Sequence, residues 1–502
     1  MGIHTTFSSI WNIGILFTEA IGEPMLFLIY SATNLRTIES SLGLPEYSYY
    51  FVLKDFLPML EQLGEIKIIH TPKLEVDAIY DACKKEGKDC LFLSFSPPHK
   101  TRLNLRCPTI PVFAWEFDTI PDEEWENHPQ HNWVMCLQKT GSAIVHSNHT
   151  VNAVKRQLGN QFPVVAIWAP LWDRFESIRA HCKQNPSMHE TTLSIKGRII
   201  DSKNYIPYEF PPNGAHNQNQ SKLHRRLRKY RRSITKRLSP LYQFTKNNVL
   251  SLVQSSSDAT TELPPRGELS LKGIIYTSVF NPYDGRKNWL EMVIAFCTAF
   301  INNEDATLIL KFTHRSHEWS CAALIETFRK LRPFKCRVIA IQGFIEEEHY
   351  NALIAHSSYV VNTSYSEGQC LPLMEYMSCG KPAITPCHTA MEDYINDEVA
   401  FIVSSEPEIC SWPQDTRNCF RAHRYRLSYE SLKDAYLQSY HVAKYEQERY
   451  KHMSEQCIKT LQQLCSIDSS KDKLDVFLKN TCHKEGKVFE SRHLIDEPST
   501  IY

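Results

Sequence analysis

Short, continuous apolar runs recur along this chain, with longer helical stretches between them. Met25–Tyr30 (MLFLIY) is the first, followed by Ile66–His70, Cys90–Ser94, Val112–Asp118, Ala143–His146 and Val164–Trp168. A second set comprises Gly273–Thr277, Thr307–Phe312, Cys336–Ile341, Tyr359–Thr363 and Ala383–Thr385. Runs without polar alternation read as strands buried on both faces, as in parallel sheets. The amphipathic stretches near Tyr49–Leu63 and Trp289–Phe300 read as covering helices. The pattern predicts two open α/β sheets, and loops after the strand ends of such sheets face a ligand crevice.

Periodicity weakens between the two sets, from about residue 171 to 262. The expected division has a first domain at 1–195, with 1–24 as an extension ahead of the first strand. A linker or insertion fills 196–265, a second domain fills 266–410, and helices occupy 411–502. Within the insertion, Lys222–Arg237 (KLHRRLRKYRRSITKR) holds nine Lys/Arg in sixteen residues. Leu223, Leu227, Tyr230, Ile234 and Leu238 lay one apolar stripe along it, so 222–238 reads as a basic amphipathic helix. Such a helix suits either an anionic membrane surface or the flank of a neighbouring domain.

Net charge is +0, so no global field draws the chain to nucleic acid, and no nucleic-acid-binding module stands out. The 16 cysteines are scattered singly, without C-x-x-C or zinc spacing, as for free thiols in a reducing cytosol. Ile10–Phe17 is apolar but lacks a basic leader, and Glu19, Glu23 and Pro24 interrupt it. A cytoplasmic protein, peripheral on the membrane face through 222–238, is the expectation.

The chemistry concentrates between Tyr365 and Pro386 (YSEGQCLPLMEYMSCGKPAITP). Ser366, Glu367, Gly368 and Gln369 read as a loop and Pro372 as first-turn proline of a helix starting near Leu371. Gly380 and Pro382 end that helix before the strand at Ala383. The helix start points backbone N–H groups of Cys370 and Leu371 at the loop, which makes an anion site. Glu367 and Glu375 flank it, and carboxylates beside an anion are suited to accept from hydroxyls of a sugar or ribose. The loop Ser278–Asn288 supplies Arg286 and Lys287 together, a clamp for a diphosphate. The sum is a pocket for a sugar nucleotide.

Glu367, seven residues and Glu375, with the filling G-Q-C-L-P-L-M and the tail M-S-C-G-K-P-A-I, resemble the E-x7-E signature of retaining glycosyltransferases of family 4. The resemblance implies a GT-B fold, with two Rossmann-like domains facing across a cleft and C-terminal helices crossing back to the first. It implies a nucleotide-diphospho-sugar donor, a glycan or lipid-linked acceptor, no cofactor and no metal. Glu367 would hold the donor sugar and Glu375 the ribose. Lys287 with Asn288 matches the family's Lys-Asn/Gly loop, with Arg286 substituting for an arginine usually found earlier. Gly343 would edge the base pocket. Trp115-Glu116 resembles a W-E segment of bacterial enzymes acting on surface polysaccharides, and Glu116 takes the crevice place where relatives often carry a histidine. Val145-His146-Ser147 resembles a V-x-S turn, with Ser147 as helix cap and His149 as a loop residue. Sugar-nucleotide epimerases share this fold, and a non-catalytic sugar-nucleotide sensor or scaffold is the third reading.

Overall fold

The computed structural model describes residues 25–34, 37–44, 46–182, 191–205, 266–412, 415 and 417–485. The extension 1–24, the basic helix 222–238 and most of the linker lie outside the described residues.

The first sheet contains β1 (Met25–Ser31), β2 (Gly64–Ile68), β3 (Cys90–Phe95), β4 (Thr109–Phe113), β5 (Ala143–Val145) and β6 (Val164–Ala166). All pair in parallel, in the order β2-β1-β3-β4-β5-β6. Their apolar side chains are buried on both faces, which is why they read as unbroken apolar runs.

Chain direction and pairing change next. β7 (Thr191–Lys196) pairs antiparallel with β9 (Arg266–Leu271), and β8 (Arg198–Asp201) pairs antiparallel with β12 (Arg337–Gln342). The chain therefore joins the second domain before residue 195, earlier than the sequence reading set the boundary. The reason is edge protection: β8 covers what would be an open strand edge, and Arg337 clamps Asp201 at 2.7 Å.

The second sheet adds β10 (Ile274–Phe280), β11 (Ala306–Phe312), β13 (Tyr359–Val361), β14 (Ala383–Thr385) and β15 (Ala400–Ile402). Its order is β15-β14-β13-β10-β11-β12-β8. From β10 the chain winds one way through β11 and β12, and from β13 the other way. The switch point lies between β10 and β13, where the loops after both strands open onto one crevice.

For 411–502 the sequence reading expects helices from the start. The structure instead forms an antiparallel hairpin, β16 (Ser405–Ser411) and β17 (Arg421–Leu427). Its charged faces disguised it, and cross-strand pairs such as Arg424 with Glu408 at 2.6 Å support it. Trp412 follows β16 and enters the first domain. Its ring centre lies 5.3 Å from Trp115 and 5.5 Å from Trp125, both edge-on. The hairpin is thus a strap. It is secured further by Asp118, whose carboxylate accepts from the His423 backbone N–H at 2.9 Å.

Helices follow the hairpin as expected, at Tyr429–Tyr445, Gln447–Cys465 and Ile467–Glu485, with a break at Glu446. Gln447–Cys465 packs on the helix Leu371–Ser378, and Ile467–Glu485 reaches Tyr47–Glu61 of the first domain. Trp172 donates its indole N–H to the Ile458 carbonyl at 3.0 Å along this crossing. One apolar core consequently runs through both domains, from Phe27 and Trp115 to Leu373, Trp412 and Leu461. Among the described residues, no helix is long and apolar enough to cross a membrane.

Trp412→Ala should lower unfolding free energy by about 3–5 kcal/mol, as for other buried tryptophans. Chemical denaturation measures it, and a loss below about 1 kcal/mol would mean the strap carries little of the stability.

Candidate active site

The loop after β10 is shaped by Asp284, whose carboxylate accepts the Arg286 backbone N–H at 3.1 Å. A single tight turn, Gly285–Lys287, follows. Asn288 then adopts φ 47, the left-handed conformation that asparagine tolerates, and the helix Trp289–Ala299 begins. The Asn288 side chain is engaged locally, donating to Glu291 at 2.7 Å and accepting from the Tyr365 hydroxyl at 2.9 Å.

This turn presents Arg286 and Lys287 to the loop after β13. Lys287 Nζ lies 2.6 Å from Glu367 Oε1. Arg286 lies 3.0 Å from Glu116 Oε1 of the first domain and 2.7 Å from Asp284 Oδ2, and also donates to the Ser366 carbonyl at 3.2 Å. The four residues expected to act in catalysis are therefore one cluster across the domain boundary. Burial pushes the Glu367 carboxyl up, but Lys287 and Arg286 together outweigh it and hold the group below its ordinary value. Burial lowers Lys287, and Glu367 more than offsets this, so the ammonium is kept charged. Glu116 shifts the other way: burial raises it despite Arg286, and Asp284 and Glu367 add to the rise.

The helix Leu371–Ser378 begins beside this cluster. Cys370 takes φ 63 at its cap, with Pro372 in the first turn. Among the described residues, the backbone N–H groups of Gly368, Gln369, Cys370 and Leu371 have no internal acceptor. A Cβ on Gly368 would meet the Trp115 backbone nitrogen at 3.0 Å, so a larger residue would have to push the two domains' backbones apart by a few tenths of an ångström. The Gln369 amide is buried and, among the described residues, neither its oxygen nor its nitrogen has a partner, and the Ser366 hydroxyl likewise has none. Such groups cost about 1–3 kcal/mol each when unmet, so they point to a polar ligand.

Glu375 belongs to a second cluster. Its carboxylate accepts from Arg174 at 2.7 Å and from the Tyr350 hydroxyl at 2.5 Å. Arg174 also lies 3.0 Å from Asp55 on the helix Tyr47–Glu61. The glutamate expected on a ribose is thus engaged within the protein. Gly343, at the end of β12, has φ 119 and open space where a Cβ would project. Its carbonyl accepts from Lys311 at 2.7 Å.

Lys311, Arg174 and His388 were not singled out in the sequence. Lys311 is buried and donates to the backbone carbonyls of Phe312 and Gly343, and burial lowers it to about 7. A lysine inside the apolar run ATLILKF was the available signal. His388 is buried and stacks on Tyr425 at 4.4 Å. Among the described residues no group of His, Cys, Asp and Glu could hold a metal ion.

Residues 317–411 match the family model described as glycosyl transferases group 1. No curated protein matches the chain. Among solved structures, Anabaena Alr3699/HepE in complex with UDP is similar at TM-score 0.47 and 12% identity, covering 91% of this chain and 100% of its own. Sucrose-phosphate synthase from Thermosynechococcus elongatus is similar at 0.46 and 12%, covering 92% and 100%. A mutant of S. aureus TarM is similar at 0.41 and 10%, covering 78% of this chain, which spans 55% of TarM. Two Rossmann-like sheets facing one crevice give the chain an α/β architecture of GT-B type, and the second of them carries the segment that matches the group 1 glycosyl transferase model.

The Asp55 cluster carries a pH dependence. Burial raises the Asp55 carboxyl from its ordinary 3.8 to about 7, against the pull of Arg174. The folded protein therefore keeps a proton that the unfolded chain has released between these values, and stability falls as pH rises through that window. Asp55→Asn should gain on the wild type by up to about 1.4 kcal/mol per pH unit between pH 5 and 7, levelling above. Urea unfolding across that range tests it, and a gap independent of pH would mean that Asp55 stays ionised.

Proposed function

We propose that this protein is a retaining, metal-independent glycosyltransferase. It moves a sugar from a nucleotide-diphospho-sugar to a glycan or lipid-linked acceptor. The observation that carries this reading is Lys287 and Arg286 set beside Glu367 and the unmet N–H groups of residues 368–371, at the switch point. Departure of a nucleotide diphosphate leaves charge on its phosphates, and preorganised cations and N–H dipoles stabilise charge that develops in this way. Lys287 would exchange Glu367 for the phosphates, and Glu367 would then accept from the donor sugar's hydroxyls. Gln369 and Ser366 would gain the partners they lack. Glu375 would reach the ribose only after loosening from Arg174. The acceptor would attack from the face the diphosphate leaves, with a donor phosphate oxygen taking its proton. Glu116 would orient Arg286. The segment 222–238 would bring the cytoplasmic enzyme to an anionic membrane face.

One observation favours a second reading, a sugar-nucleotide-binding scaffold without catalysis. Arg286, Lys287 and Arg174 are each already paired with carboxylates. Thermal stability against UDP, GDP, ADP, CDP and dTDP, with and without their sugars, separates the readings from an empty cleft. A bound nucleotide at a hundred times its dissociation constant should add about 2.7 kcal/mol. A response from none of them would overturn both. With the responsive donor, the enzyme should transfer or slowly hydrolyse the sugar, whereas the scaffold should do neither. Lys287→Ala should cut turnover by well over about tenfold, and unchanged turnover would remove Lys287 from the clamp.

A further inference from the structure

A pocket of about 260 Å³ lies beside the candidate active site, between the first domain and the strap. Asp118, His149, Asn152 and Arg156 line it from the first domain, and His423 and Tyr425 line it from β17. The volume is below the roughly 300–1,000 Å³ of sites for drug-sized ligands, so it suits one pyranose ring and excludes a nucleotide.

Its charge is internally cancelled. Asp118 Oδ2 lies 3.0 Å from Arg156 and 3.0 Å from His423 Nδ1, so among the described residues each charge lining the pocket is already paired. What remains is hydrogen-bonding capacity: the Asn152 amide, the Tyr425 phenol and the His149 imidazole. His149 Nε2 is buried and, among the described residues, has no partner. Burial also holds this imidazole below its ordinary pKa, against the pull of Asp118 and a hydrogen bond to the Phe117 backbone, so the neutral ring has Nε2 left to pair. A hydroxyl-bearing ligand meets these groups, and an apolar one leaves them unmet.

The pocket is one side-chain layer from Glu367. Tyr425 stacks on His388 with centroids 4.4 Å apart and planes 13° from parallel. The next residue, Thr389, accepts the Glu367 backbone N–H at 3.1 Å. The Tyr425 backbone N–H donates to the Tyr365 carbonyl at 2.8 Å, tying β17 to the loop that carries Glu367.

We propose that this pocket is a subsite for one uncharged hexopyranosyl unit of the acceptor, held by His149, Asn152 and Tyr425 one side-chain layer away from Glu367. The proposal rests on the reading of the cleft as a donor site. The strap would then do two jobs, joining the domains and supplying one wall of the acceptor site.

The test is saturation-transfer NMR on the full chain with methyl glucoside, galactoside, mannoside and N-acetylglucosaminide as probes, alongside the nucleotide stability panel. Asn152→Trp fills the pocket from its exposed rim, and His149→Ala removes the unpaired nitrogen. At least one glycoside should bind the wild type and weaken by about tenfold or more in both variants, the worth of one or two hydrogen bonds. Nucleotide stabilisation should persist in both. No signal from any glycoside with the wild type, or a signal unchanged in both variants, would overturn the subsite. Glycoside binding sensitive to Asn152→Trp without any nucleotide response would keep the subsite and overturn the donor reading instead.

Discussion

The ion pair between Arg286 and Glu116 is the constraint on which the cleft depends. It joins the second domain to the first at the site itself, with both side chains largely out of solvent. Removing one member of such a pair typically costs about 3–5 kcal/mol, because the other is left buried and uncompensated. Everything nearby follows from keeping both satisfied. Asp284 supplies a second carboxylate, the Ser366 carbonyl takes another guanidinium N–H, and the Arg286 carbonyl in turn accepts from Tyr365. The loops after β10 and β13 are thereby held in register, and Lys287 has no freedom but to face Glu367.

A charge-matched cleft of this kind has two faces. Pairing keeps Lys287 and Glu367 ionised and in place before any ligand arrives, which is preorganisation. It also means that an anionic ligand must compete with carboxylates already bound. The unpaired Gln369 amide and the unmet N–H groups of residues 368–371 act in the opposite sense, since they gain bonds and lose none. Affinity would be set by this difference between exchange at the cations and new bonding at the loop and helix start.

Much of this was legible in the sequence for identifiable reasons. Parallel strands buried on both faces announce themselves, as MLFLIY does, and the loop–helix–strand grammar of 365–386 is local chemistry. Arg286, Lys287 and Glu367 were legible because each sits on a loop whose place follows from strand order. The contacts of Glu375 were not, because Arg174 lies 201 positions away and nothing in local spacing records such a pairing. The hairpin was hidden by composition: RAHRYRL mixes charged and apolar residues on both faces of the strand, so no alternation advertises it. Lys311 was marked only by the apolar run around it, and its burial against backbone carbonyls is a property of the assembled sheet.

The shared core has a consequence for how the protein comes into being. Trp115, Trp125 and Trp133 belong to the first domain, yet the ring that completes their cluster is Trp412. The last apolar cover of the same core comes later still, from Leu461, Leu474 and Phe477. During synthesis from the N-terminus, the first sheet would emerge well before the residues that finish its interior. A nascent chain would carry exposed indole surface for as long as it takes to make the second domain, a period in which chaperone engagement or aggregation competes with folding.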